Sequence, residues 1–132
     1  KTAKTASKIA SISSLRKSIV GIQRGFAKEP GLVAEGRDMG SIIFPDAIIK
    51  IFLTASTATR AERRHNQLKE KGINVSLTQL IDELEARDKR DTVREASPLI
   101  TPENALIIKT DNKSISNVQN EVMSYIGKRI KI

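Results

Sequence analysis

The apolar residues of this chain recur in two rhythms. From Ser14 onward, Leu15, Ile19, Ile22 and Phe26 fall four, three and four residues apart. That is the spacing of one helix face, and Glu29-Pro30-Gly31 closes it. Residues 3–12 predict a shorter helix before it, with Ile9 and Ile12 on one side. Residues 57–71 predict a charged helix capped by Ser56 and stopped by Gly72. Ser76-Leu77-Thr78-Gln79 fits a capping box, with Leu77, Leu80, Ile81 and Leu84 as the apolar stripe behind it. Residues 115–126 predict a last helix with Ile115, Val118, Val122 and Ile126 facing inward. The second rhythm consists of short apolar runs at 32–35, 48–53 and 105–109, which predict strands. The run at 48–53, broken by Lys50, predicts cover on both faces, as in a parallel sheet. Strands separated by helices indicate βαβ connections and an α/β fold, a parallel sheet flanked by helices. Three strands make a thin sheet, so part of it is expected to be missing.

Composition narrows the chemistry. The 132 residues suffice for one domain. The absence of Cys excludes disulfides, thiolate metal sites and cysteine catalysis. The single His, His65, excludes a His cluster and argues against a Ser-His-Asp triad. No apolar stretch is long enough to span a membrane, and no signal peptide is visible. The chain opens with Lys1 rather than Met, from which the expectation is a start inside a longer chain. The net charge of +8 is unevenly placed, with seven Lys or Arg and no acid up to Lys28, and with Lys128, Arg129 and Lys131 after the last acid. Such an excess suits anionic partners, and it equally suits plain solubility.

Two constellations stand out. On the helix from Leu77 the apolar face continues as Arg87, Asp91 and Arg94, four and three residues apart, so all three project the same way. Guanidinium forks match phosphate oxygens, and a carboxylate accepts from sugar hydroxyls. The same spacing also fits a surface ladder worth about 0.3–0.5 kcal/mol per pair. The second constellation, Gly36-Arg37-Asp38-Met39-Gly40, predicts a turn just after a strand, where open α/β sheets bind ligands; a surface Arg–Asp pair is the plainer alternative. Arg60, Arg63 and Arg64 share a helix and could clamp a polyphosphate from a mobile arm, or simply face solvent with Glu62.

The run from Gly31 through Glu35-Gly36-Arg37-Asp38-Met39-Gly40-Ser41 to Ala47 closely resembles bacterial cytidylate kinases. So do Lys50-Ile-Phe-Leu-Thr-Ala-Ser, Arg60-Ala-Glu-Arg-Arg, Gln67-Leu-Lys-Glu-Lys-Gly, Arg87-Asp-Lys-Arg-Asp-Thr-Val-Arg and Ser97-Pro-Leu. The resemblance covers essentially the whole chain. It implies a P-loop nucleoside-monophosphate kinase fold that transfers the γ-phosphoryl group of ATP, with Mg²⁺, to CMP or dCMP. By that resemblance Ser7, Arg16 and Asp38 read the base, Arg37 and Arg94 hold the CMP phosphate as the catalytic pair, and Arg87 and Asp91 meet the sugar. Arg60, Arg63 and Arg64 belong to a lid over the ATP phosphates. No metal is assigned to a protein side chain, since Mg²⁺ comes with ATP. The expected organisation is a single partial kinase domain over 1–132. Residues 1–30 would be the remainder of a CMP-binding insert, 31–56 core strands, 57–96 lid-type helices, and 97–132 a core strand and the final helix.

One departure is large. The family's Gly-x-x-x-x-Gly-Lys-Ser/Thr loop, whose amides cradle ATP phosphates, has no counterpart in these residues. The chain alone is therefore expected to be inactive if it is truly truncated. The resulting expectation is a cytoplasmic, monomeric enzyme acting on small nucleotides, with no nucleic-acid or membrane partner. A non-catalytic CMP-binding fragment and a basic nucleic-acid-binding module remain as alternatives. Against the latter, Phe26, Phe44, Phe52 and Tyr125 are isolated and mostly on predicted buried faces, which leaves no stacking platform.

Overall fold

The structure is a computed structural model that describes residues 2–93 and 98–130. The chain divides into two compact units, Lys1–Ala47 with Glu85–Glu103, and Ile48–Leu84 with Asn104–Ile132.

In the second unit, β1 (Ile51–Thr54) pairs in parallel with β2 (Leu106–Lys109). Ile51 lies opposite Leu106 and Thr54 opposite Lys109. Bonds from Leu106 N–H to Lys50 O (2.9 Å) and from Thr110 N–H to Thr54 O (2.7 Å) extend the ladder at both ends. A parallel pair needs a long crossover, and here it contains α3 (Thr57–Glu70) and the start of α4 (Leu77–Val93). Ser56 caps α3 through its hydroxyl, which accepts from Thr59 N–H at 3.2 Å. Gly72, at φ +72°, ends it. Its N–H reaches Lys69 O and Ile73 N–H reaches Leu68 O, a pair of bonds that requires a left-handed residue between them. Among the described residues of this unit, Ala61, Leu80 and Ile108 are the buried apolar side chains. α5 (Ile115–Arg129) completes it, capped by Ser114.

Several expectations for this unit change. Among the described residues the sheet has two strands, so the thin three-stranded sheet is thinner still. Leu53 and Ile107 are 55% and 52% exposed. Leu53 pairs with Ile108 and Ile107 with Phe52, so the two lie on opposite faces and neither face of the pair is fully covered. Ile115 is also exposed, and Tyr125 rather than Ile115 joins the half-buried face of α5. Only half of the capping box forms. Ser76 accepts from Gln79 N–H, but the Gln79 side chain reaches forward to Glu83 instead of back.

The first unit consists of α1 (Thr2–Ile9), α2 (Ser13–Gly25), a π turn over Met39–Ile43, and the second half of α4. α1 stops at Ile9, short of the expected Ile12, which instead starts α2. Arg24 on α2 donates to the carbonyls of Ile43 (2.9 Å) and Ile42 (3.1 Å), tying α2 to the π turn. The residues 36–40 expected to form a turn bend only over 36–38 and then wind into that π turn. Gly36 makes room for it, because a Cβ there would come within 2.9 Å of the Met39 side chain.

Residues 32–35 do not form the predicted strand. No backbone bond among the described residues pairs them, and Val33 is fully exposed. Apolar content makes a strand only where a partner offers its ladder. The α2 stripe lies outward as well, with Leu15, Ile19, Ile22 and Phe26 all 45–66% exposed. Of this unit's described residues, Ile43 is the one buried apolar side chain, beside Ser7, Asp38 and Asp91. Its interior is therefore mainly polar.

Candidate functional site

Those buried polar residues belong to one cleft of about 170 Å³. Ser7 and Arg16 reach it from α1 and α2, Arg37 and Asp38 from the bend before the π turn, and Arg87 and Asp91 from α4. Every residue expected to contact CMP is thus brought to one place, except Arg94, which lies outside the described residues.

Asp91 is at the centre. It is 1% exposed, and a carboxylate so buried needs partners to stay charged. Arg37 Nη1 donates to its Oδ2 at 2.5 Å, Ser7 Oγ donates to its Oδ1 at 3.2 Å, and Arg87 Nε stands 3.8 Å away. The same Arg37 nitrogen also donates to Asp88 Oδ1 at 3.1 Å. Asp38, 6% exposed, is ion-paired with Arg16. Arg16 in turn donates to Ala10 O at 3.1 Å, holding the turn between α1 and α2.

Arg87 is the least satisfied member. Its Nε is buried without a hydrogen bond. Burial and then the nearby Arg37 guanidinium push its pKa below the ordinary arginine range, while Asp91 and Asp88 pull it back. Two guanidiniums kept close at an open cleft form a region that an additional anion would relieve. Asp88 and Arg90 were not singled out by the sequence pattern. Arg90 Nη1 donates to Ser7 Oγ at 2.8 Å. Arg90 lies three residues after Arg87, so the helical spacing that selected Arg87 and Asp91 could have selected it too.

The three lid candidates lie in the other unit. Arg63 is engaged with the end of β2, donating to Thr110 Oγ1 (2.9 Å) and Thr110 O (2.6 Å). Arg60 donates to Ala55 O and Thr57 Oγ1, and Arg64 is exposed. Close by, Asp111 accepts from Ser56 N–H (3.0 Å) and Thr59 Oγ1 (2.7 Å), which lowers its pKa to about 2. The bracket fastens the end of β2 to the start of α3.

Comparison with known proteins matches residues 1–128 to the cytidylate kinase family. The chain is 55% identical over 119 residues to a cytidylate kinase of Nitrosomonas europaea, covering 90% of this chain and 53% of that protein. It is 46% identical over 127 residues to that of Shewanella frigidimarina (96% and 56%) and 48% over 121 residues to that of Methylococcus capsulatus (92% and 54%). The chain therefore spans about half the length of the curated relatives it matches. The parallel pair flanked by helices and these matches place it among the P-loop nucleoside-monophosphate kinases. It belongs to the cytidylate kinase family. No helix among the described residues is long and apolar enough to cross a membrane.

Proposed function

We propose that this chain carries the acceptor-nucleotide site of a kinase that moves the γ-phosphoryl group of ATP to CMP or dCMP, giving ADP and CDP or dCDP. The observation that supports this best is the cleft where Arg16, Arg37 and Arg87 surround the buried carboxylates of Asp38 and Asp91. Arg37, together with Arg94, binds the monophosphate. A phosphate dianion carries more charge than either Asp and competes for the guanidinium that Asp88 and Asp91 now share. Arg87 and Asp91 meet the sugar. Asp38 accepts from the exocyclic amine of cytosine, oriented by its pairing with Arg16, and Ser7 offers a further contact.

Phosphoryl transfer asks mostly for in-line positioning and neutralisation of charge, which fixed arginines supply. Arg60, Arg63 and Arg64 would act on the ATP side, as lid residues on α3. Among the described residues no three His, Asp or Glu side chains gather as metal ligands. In this reading Mg²⁺ arrives on ATP, held by phosphates and water. The enzyme works as a cytoplasmic monomer on small nucleotides.

The test is ADP release with CMP, dCMP, UMP and AMP, run beside calorimetric titration of CMP and intact-mass measurement. CMP-dependent ADP release supports the kinase. Because these 132 residues hold no Gly-x-x-x-x-Gly-Lys-Ser/Thr run, a second reading is a segment that binds CMP without turning it over. CMP binding with no ADP release would favour it. Neither binding nor turnover would overturn both.

A further inference from the structure

Ser7 is 3% exposed and sits within α1, where a serine hydroxyl ordinarily donates back to its own helix. The exposed Ser18 on α2 does that, donating to Ser14 O at 3.0 Å and Leu15 O at 2.9 Å. Ser7 is drawn away instead, held between Arg90 Nη1 at 2.8 Å and Asp91 Oδ1 at 3.2 Å. The chemistry of its two partners decides which way the hydroxyl proton points. A guanidinium can only donate and an ionised carboxylate can only accept. Ser7 Oγ must therefore accept from Arg90 and give its proton to Asp91.

A hydroxyl has one proton and two lone pairs. With the proton and one lone pair committed, a single lone pair is left for the cleft that Ser7 lines. Arg90 is not among the residues lining that cleft, so it acts through Ser7. We infer that Arg90 is a positioning residue that fixes the hydrogen-bond polarity of Ser7, so that Ser7 presents an acceptor alone and the nucleotide group it meets is an O–H or N–H donor. This rests on the reading that the cleft takes a cytidine monophosphate.

The experiment is a double-mutant cycle on the full chain, Arg90→Ala and Ser7→Ala singly and together, read by calorimetric titration of CMP. Each single variant is expected to weaken CMP by about fivefold, the size of one net hydrogen bond. In the Ser7→Ala background, Arg90→Ala should cost less than about twofold further. Arg90→Lys, which keeps a donor, should recover most of the loss. A ligand series supplies the polarity: with 2′-deoxy-CMP, 3′-deoxy-CMP and N4,N4-dimethyl-CMP, the Ser7→Ala loss should vanish for the one analogue lacking the donor that Ser7 meets. A loss that persists with all three would overturn the acceptor assignment. An Arg90→Ala effect equally large without the Ser7 hydroxyl would overturn the positioning role. If the wild-type chain gives no CMP heat, the functional reading fails by itself. The same cycle on urea midpoints without nucleotide then decides, because independent effects of Arg90 and Ser7 would refute their coupling.

Discussion

Replacing Asp91 with alanine removes the anion around which the cleft of the first unit is built. The carboxylate is 1% exposed and accepts from Arg37 at 2.5 Å and from Ser7 at 3.2 Å. A charge-assisted bond contributes about 1.5–3 kcal/mol and a neutral one about 1 kcal/mol. Breaking a buried ion pair from one side typically costs about 3–5 kcal/mol, because the surviving charge stays desolvated. Two features reduce that figure. The Arg37 side chain is 28% exposed, and Asp88 keeps it partnered at 3.1 Å. The expected loss is therefore about 3 kcal/mol, a large share of the roughly 5–15 kcal/mol that a domain has. Urea unfolding read by far-UV circular dichroism measures it, with Asp91→Asn as a companion. The amide keeps the shape and can still accept, so it should lose about half as much. A loss below about 1 kcal/mol for Asp91→Ala would refute the reasoning, since it would mean that water already reaches the carboxylate.

Four further outcomes follow from other residues. Asp111 has its folded-state pKa lowered from 3.8 to about 2, first by the Thr59 hydroxyl and then by the Ser56 side chain and amide. A depressed carboxylate stabilises the fold above its unfolded pKa and loses that contribution as pH falls through the folded value. Melting temperature should accordingly fall between pH 4 and pH 2, and the fall should be smaller in Asp111→Asn; identical profiles would remove the bracket's role. Arg63→Ala should cost about 1–3 kcal/mol in urea unfolding, because the buried Thr110 loses the donor to its hydroxyl and keeps only Lys113 N–H on its carbonyl. Arg64→Ala should stay within about 0.5 kcal/mol while raising KM for ATP in the full-length enzyme, and an unchanged KM would take Arg64 out of the lid. Asp38→Asn should narrow the preference for CMP over UMP, mainly by losing CMP, because an amide can donate to the uracil carbonyl. An unchanged ratio of kcat/KM values, measured on the full-length enzyme, would assign Asp38 to bracing the π turn.

Helices were legible because their signals are local. Ser56, Gly72 and the four-three spacing along α4 are read within one or two turns of chain. The grouping of Arg87 with Asp91 followed from that spacing, and the placement of Ser7, Arg16, Arg37 and Asp38 beside them followed from resemblance. Residues 32–35 misled because a strand is a relation between two segments, and no described segment pairs with them. The π turn at Met39–Ile43 left no pattern, since it depends on Arg24 holding its final carbonyls from 18 and 19 residues away. The apolar stripe of α2 forms the helix its spacing predicts but lies outward, because periodicity locates a face without saying what lies against it. Arg63 illustrates the same limit in reverse. Its charge suggested a ligand, and the partner in the structure is a threonine 47 residues along the chain.

The bond from Ser7 to Asp91 spans 84 residues of sequence. On a ribosome adding about 5–20 residues per second, roughly 4–17 s separate the synthesis of the two. For that interval α1 has neither the carboxylate nor the Arg90 guanidinium that later hold its serine, and short isolated helices are marginal in water. The cleft can therefore assemble only once α4 has been made, well after α1 but ahead of β2 and α5. A nascent chain stalled before Asp91 should expose Ser7 to solvent and α1 to proteases, although β1 and α3 have already been made.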